Sequence, residues 1–405
     1  MTPQEPAAAP FGFKFVAPLA LGAVLNPINS TMIATALVPI ANSLQVSIGA
    51  TGWLVVALYL TSAVAQPSIG HLADRFGPRR ILLISLLFVA AAGVLGWLAT
   101  TLTALIVVRV ILGIGTSGAY PAAMRIFRLR AATLGSRPPR EAMGVLSLAA
   151  LSTTAVGPFL GGILAGWFGW HSIFAINIPM AGLTAVLVLL WIPRDVRTSG
   201  AVERQRLPLN NIPLLVTYLR AATVSMIIMC VYYGFAQWLQ SSVGLSSATA
   251  GLVTLPLSIL AAASSFTGVR SKTLRAPFLI GICCALIGCV CLVFVDETTP
   301  VWLLAVAVMF FGVPMGAFST ATQASIFIQS PAEAIGAAAG LQRTFQYIGA
   351  SLGAALLAFM YGQHATDFGL HRLGVVLGAC SAALLIATVF DRTIPRLAAT
   401  PAVST

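Results

Sequence analysis

Apolar runs of about 20 residues, the length an α-helix needs to cross a bilayer, recur along almost the whole chain. With 58% hydrophobic and only 8% charged residues, and a mean hydropathy of +0.95, this is a polytopic membrane protein. The runs fall at roughly 15–41, 52–70, 81–99, 102–124, 143–166, 172–192, 213–239, 247–267, 276–295, 300–327, 335–361 and 370–390. The expected fold is therefore all-α, with twelve transmembrane helices.

Between the sixth and seventh runs lies a polar stretch of mixed charge containing Gly200 and Pro208, which reads as a linker between two six-helix bundles. The expected organisation is an N-terminal tail at about 1–14, a first bundle at 15–192, a linker at 193–212, a second bundle at 213–390 and a C-terminal tail at 391–405. No small-residue cleavage site follows the first apolar core, so that helix is expected to be retained. Weak internal similarity supports two halves. Gly52 and Gly70 bracket the second helix much as Gly251 and Gly268 bracket the eighth.

If twelve helices alternate in direction, the lysines and arginines from Lys14 to Arg396 fall on one side, apart from Arg372 and those inside helices. The positive-inside rule then makes both termini and the linker cytoplasmic, in an inner membrane. The net charge of +12 is parcelled out between apolar runs, so it points to anionic inner-leaflet headgroups and not to nucleic acid. The six cysteines lie within apolar runs without metal-ligand spacing and read as packing groups. No metal or cofactor is expected.

The densest polar segment of the first third is the run from Gly70 through Asp74, Arg75, Gly77, Pro78 and Arg79 to Arg80. It is expected to be a tight turn between the second and third helices. Arg109 lies in the fourth helix, followed by Gly113, Gly115 and Gly118. Those glycines formally match a nucleotide-binding pattern, but no strand precedes them, so close helix packing explains them better. Gly157, Pro158, Gly161 and Gly162 predict a bend in the fifth helix that admits a neighbouring backbone.

The run 70–80 resembles the loop motif A of the major facilitator superfamily. Arg109, Gly113 and Gly115 resemble its motif B, and Gly157, Pro158, Gly161 and Gly162 its antiporter motif C. Trp170, His171, Ser172, Ile173, Phe174, Asn177 and Pro179, with Gln240, Gly244 and Leu245, resemble the multidrug drug:proton antiporter branch. The resemblance implies alternating access between two rocking halves, with a small-molecule substrate and protons as the candidate coupling ion. It also implies that the second and eleventh helices approach each other. Asp74 would then meet the amino end of the eleventh helix, with Arg343 in reach, as a conformational latch formed with Gly70, Arg75, Gly77 and Arg79.

One departure matters. Asn29 stands where that branch carries an acidic residue, and all ten acidic residues fall in expected loops, tails or helix ends. Arg109, Arg220 and Arg343 lie inside helices without a midplane acid, which predicts a positively biased cavity suited to neutral or anionic cargo. Arg109 and Arg220 are the candidate coupling charges. Candidate cavity groups are Asn26, Asn29, Tyr59, Tyr120, Tyr233, Gln237, Gln323, Gln346 and Tyr347, each a hydrogen-bonding group in an apolar run.

The expected function is export of small organic molecules, drug-like or metabolite, by a monomeric secondary transporter. The alternative is a uniporter or importer of a neutral or anionic metabolite, which the absent midplane carboxylate favours. A non-transporting sensor gains little without a sizeable soluble domain, and no nucleophile–base pair or metal cluster suggests an enzyme.

Overall fold

The computed structural model describes residues 11–134, 140–195, 211–270, 273–331 and 335–394. Among these residues the chain is helical throughout, with no strand. The first crossing is α1 (Phe13–Met32), a 3₁₀ turn (Ile33–Thr35) and α2 (Leu37–Leu44). Then come α3 (Ile48–Phe76), α4 (Pro78–Leu98), α5 (Leu102–Thr133) and α6 (Arg140–Phe168). The short α7 (Ser172–Ala175) and α8 (Asn177–Trp191) share the sixth crossing, followed by α9 (Ile212–Ser241), α10 (Ser247–Arg270) and α11 (Arg275–Phe294). The tenth crossing joins α12 (Val301–Met309), a π-helical turn (Pro314–Phe318) and α13 (Ser319–Gln329), and α14 (Ile335–Tyr361) and α15 (Asp367–Phe390) complete the set.

Eleven of these crossings are long and apolar enough over their described residues to span a bilayer. The remaining one, α6, has the described apolar stretch Val156–Phe168. Large apolar side chains such as Trp97, Leu98, Trp167, Phe294, Phe359 and Phe390 face outward, as a lipid-facing surface requires.

The tight turn expected over the run 70–80 is confined to a single residue. Helix α3 continues through Gly70, Asp74 and Arg75 to Phe76, and the turn is Gly77 alone, at φ +97°. That backbone region is open to glycine, and a Cβ there would strike the Asp195 side chain. Pro78 then starts α4 at a position where its missing N–H costs nothing.

Within the first bundle α1 packs on α5, α6 and α8, and α3 packs on α4 and α5. In the second, α9 packs on α14 and α15, and α11 on α15. The halves meet where α3 lies along α14 and where α6 lies along α10. Glycines let backbones touch there. A Cβ at Gly49 would stand 2.8 Å from Ala358 O, one at Gly251 would stand 2.7 Å from Pro158 O, and one at Gly162 would overlap Ser247 O. These contacts sit toward the ends of the helices remote from the arginine-rich loops.

Two hydrogen bonds between the halves go to carbonyls released by proline. Pro67 has no N–H to offer Ala63 O, which accepts instead from Thr344 Oγ1 of α14 at 3.4 Å. Pro158 likewise releases Thr154 O, which accepts from the Tyr232 hydroxyl of α9 at 2.9 Å. A backbone group that would be costly to leave bare in hydrocarbon is thereby tied to the opposite half.

Candidate functional site

The polar centre is built on the break in the first crossing. Where α1 gives way to the 3₁₀ turn, the Ile33 N–H turns to Thr31 O. The carbonyls of Asn29 and Ser30 take side-chain donors. Arg109 Nη1 of α5 donates to Asn29 O at 3.0 Å, and its Nε donates to Leu54 O of α3 at 2.9 Å. Only 1% of this arginine is exposed, and its Nη2 has no partner. Neither ion pair found among the described residues involves it. Arg109, expected as a charge of a positively biased cavity, is instead sealed against the backbone of α3 and the first crossing.

Asn29 does not face a cavity. Its amide pairs reciprocally with that of Asn177 in α8, at 2.6 and 2.9 Å, and also donates to Leu25 O. The place where an acid was expected is therefore filled by a closed, neutral amide pair. Beside it the Tyr233 hydroxyl of α9 donates to Ser30 O at 2.6 Å and lies 3.0 Å from the Tyr59 hydroxyl of α3, linking the two halves.

Toward the basic end the cluster opens. Asn26 donates to Thr116 Oγ1 at 3.0 Å and to Ser62 Oγ at 3.4 Å, and accepts from the Tyr347 hydroxyl of α14 at 3.4 Å. The Tyr59 and Tyr347 rings stand 5.8 Å apart. One turn along α14, the Arg343 guanidinium lies over the Tyr120 ring, 4.1 Å from its centroid. Asn26, Tyr120, Arg343 and Tyr347 are all half-buried.

Other expected members lie elsewhere. Gln237 is buried in α9, and Gln323 is exposed. Gln346 is half-buried, and its carbonyl accepts from Ser225 Oγ. Arg220 is not a cavity charge. Its Nη2 donates to the Asp391 carboxylate beyond α15, and its guanidinium sits 5.0 Å from the Phe278 ring centroid. The structure also separates Asp74 from Arg343, since Asp74 pairs with Arg125 of α5 at 3.0 Å. Among the other latch residues, Gly70 faces Pro121, Arg75 lies over Phe76 and Arg79 Nη2 donates to Leu189 O. Both oxygens of Asp195 cap α4, accepting from the Arg79 and Arg80 N–H groups at 3.0 Å.

Helix α6 runs unbroken through Pro158. Of its motif glycines, Gly157 and Gly161 face Thr31 and Met32 of the first crossing, while Gly162 faces α10 of the other half. Asn177, Asp195, Arg125, Ser62, Thr116 and Tyr232 were not among the expected site residues. Asn177 had a signal, as an amide in an apolar run. Among the described residues no group of three His, Cys, Asp or Glu could hold a metal.

The Arg220–Asp391 pair sets a pH dependence. Burial pushes the Asp391 carboxyl up, but hydrogen bonds from Thr393 and Arg220 outweigh it, and the net shift is downward. A lowered folded-state value means that the stabilisation is complete above the ordinary carboxylate range, about pH 4, and fades as pH falls through the lowered value. We expect the melting-temperature gap between wild type and Asp391→Asn to stay constant from pH 7 to about pH 5 and to close below about pH 4. A gap that widens on acidification would contradict this assignment.

Two membrane-embedded helical bundles, meeting at glycine-lined contacts around a buried polar cluster, have the architecture of a membrane transporter. A family model of the Major Facilitator Superfamily matches residues 19–354, and the chain belongs to that superfamily. The chain is 26% identical to the uncharacterized MFS-type transporter YwoD of Bacillus subtilis (strain 168), across 93% of this chain and 96% of that protein. It is 24% identical to the tetracenomycin C resistance and export protein of Streptomyces glaucescens, across 86% and 76% of the two chains. Among solved structures, a bacterial homolog of the human lysosomal transporter Spinster shares the fold at a TM-score of 0.73 and 19% identity, covering 95% of this chain and 98% of that one.

Proposed function

We propose that the protein exports small organic molecules, drug-like compounds or metabolites, by alternating access. It would do so as a monomer in the inner membrane, with both termini and the 193–212 linker cytoplasmic and anionic headgroups around its basic ends. The observation that carries the reading is the pair of inter-bundle contacts, α3 on α14 and α6 on α10. Glycines bring the backbones close in both, and hydroxyls on α14 and α9 of the second half bond to proline-released carbonyls of α3 and α6. Where backbones touch through glycines no side chains interlock, so the two bundles can part and rejoin along these seams while each stays packed. The relative named for resistance and export supports the outward direction.

Uniport or import of a neutral or anionic metabolite is the second reading, favoured by the Asn29–Asn177 pair. Every acidic residue with a described side chain sits at a helix end or in a loop, so proton antiport has no carboxylate carrier in the polar centre. Substrate added to proteoliposomes tests the coupling. A pH change inside the vesicles would require a proton carrier that these residues do not supply, and its absence fits uncoupled transport.

Asp74 remains the candidate latch, now with Arg125 as its partner. Ala63 meets Thr344 and Gly49 meets Ala358, so carrying the same register along α3 sets Asp74 level with the start of α14. The Asp74–Arg125 pair lies within the first bundle and holds the carboxylate in place, while a carboxylate at the amino end of α14 contributes about 0.3–1 kcal/mol. That is enough to shift a conformational ratio roughly two- to fivefold. Asp74→Asn is expected to lower transport several-fold and to populate the state open at the basic end, read from the labelling of a cysteine at Asn26. Unchanged transport and unchanged labelling would remove the latch.

A further inference from the structure

We infer that Arg343 anchors the acidic group of a planar aromatic cargo, whose apolar body lies against the Tyr120 and Tyr347 rings. The inference rests on the transport reading and deepens it by naming the chemistry of the cargo.

Arg343 stands apart from the other arginines inside the membrane. Arg220 is neutralised by Asp391, and Arg109 is sealed, with two of its nitrogens spent on backbone carbonyls. Arg343 is half-buried about two turns into α14, and no described carboxylate lies within ion-pairing reach of it. It does not simply run along α14 toward the arginine-rich end, since its guanidinium lies over Tyr120 of the opposite half. A guanidinium carries five N–H donors, so one that rests its face on Tyr120 and meets the Tyr120 and Tyr347 hydroxyls still has donors to offer a ligand, and its planar fork matches a carboxylate or sulfonate.

The surroundings select against the alternatives. The neighbouring polar groups, Asn26, Ser62, Thr116 and Tyr347, are uncharged and bond among themselves, so they offer a cation nothing to offset Arg343. A neutral cargo would leave a costly charge in the membrane without a role. An anion satisfies it. The half-buried rings of Tyr120 and Tyr347 present flat apolar surface next to the charge, which suits an aromatic body.

Two matched probes test the assignment, 2-naphthoate and 2-naphthamide, which differ in charge and little in shape. Binding to the purified full-length protein in nanodiscs is measured by titration calorimetry. Wild type is expected to bind naphthoate at least about tenfold more tightly. Arg343→Gln should erase that preference and leave naphthamide binding within about twofold of wild type, whereas Arg343→Lys should keep part of it because the charge survives without the planar edge.

The inference fails if wild type binds both probes equally or binds neither at millimolar concentration. It also fails if the preference survives in Arg343→Gln, or if that variant weakens both probes alike, as a purely structural bridge to Tyr120 would. Should Arg343→Gln not fold, an unchanged naphthoate-to-naphthamide ratio in Arg343→Lys overturns it equally. Binding is read without a gradient, so failure here leaves the direction of transport untouched, and a wrong direction leaves this binding intact.

Discussion

Gly162→Leu is expected to reduce transport to below about a tenth of wild type while the protein still folds. Gly162 faces the backbone of Ser247 and Ala248 in the other bundle. A leucine there overlaps backbone, which cannot move aside as a flexible side chain would. Overpacking of this kind costs about 1–3 kcal/mol or more. The cost falls on the closed arrangement of the α6–α10 contact and not on packing within either bundle. The population should therefore shift toward the state open at the end remote from the arginines. A cysteine at Ser30, buried in this structure, should then react with a membrane-impermeant maleimide from that side. Wild-type transport with Ser30→Cys still protected would show that this contact is not part of the cycle. Gly161→Leu serves as the contrast. Gly161 faces Met32 within its own bundle, so the loss there should be one of folding.

Arg109→Met should separate stability from function. The guanidinium is almost fully buried and unpaired, so its removal relieves a desolvation penalty of several kcal/mol. Against this stand the lost hydrogen bonds to Leu54 O and Asn29 O, about 1–3 kcal/mol each at most. Melting temperature should hold steady or rise. Transport should fall at least about tenfold, because a charge kept in the membrane against that penalty is functional by default and this one ties α5 to both α3 and the break in the first crossing. Full transport by a stable Arg109→Met protein would reduce Arg109 to a packing group.

Helix number and order were legible because a membrane imposes one length on every crossing. The glycine contacts of α6 were legible too, since Gly157, Gly161 and Gly162 recur at helical spacing. Boundaries were less so. The polar composition of 70–76 suggested a loop, but at the water interface a helix end can carry charge without unwinding. Partner choice was the least legible part. Asp74 could reach basic groups on α5 or α14 by sequence order alone, and geometry selects Arg125. Arg220 read as a cavity charge because Asp391 looked like a tail residue, although counting crossings puts both at the basic end. Asn29 was visible as a departure from the resemblance. Its closure by Asn177 depends on the packing of α1 against α8, which spacing along the chain does not reveal.

Export by alternating access is tested most directly by the accumulation of a panel of aromatic organic acids, amides and amines in cells with and without the protein. Gly162→Leu is the transport-dead control. The account predicts that at least one compound of the panel, an organic acid foremost, accumulates less in cells containing the wild-type protein and returns to the empty-cell level with Gly162→Leu. Greater accumulation in cells containing the wild-type protein would contradict export and establish the importer reading.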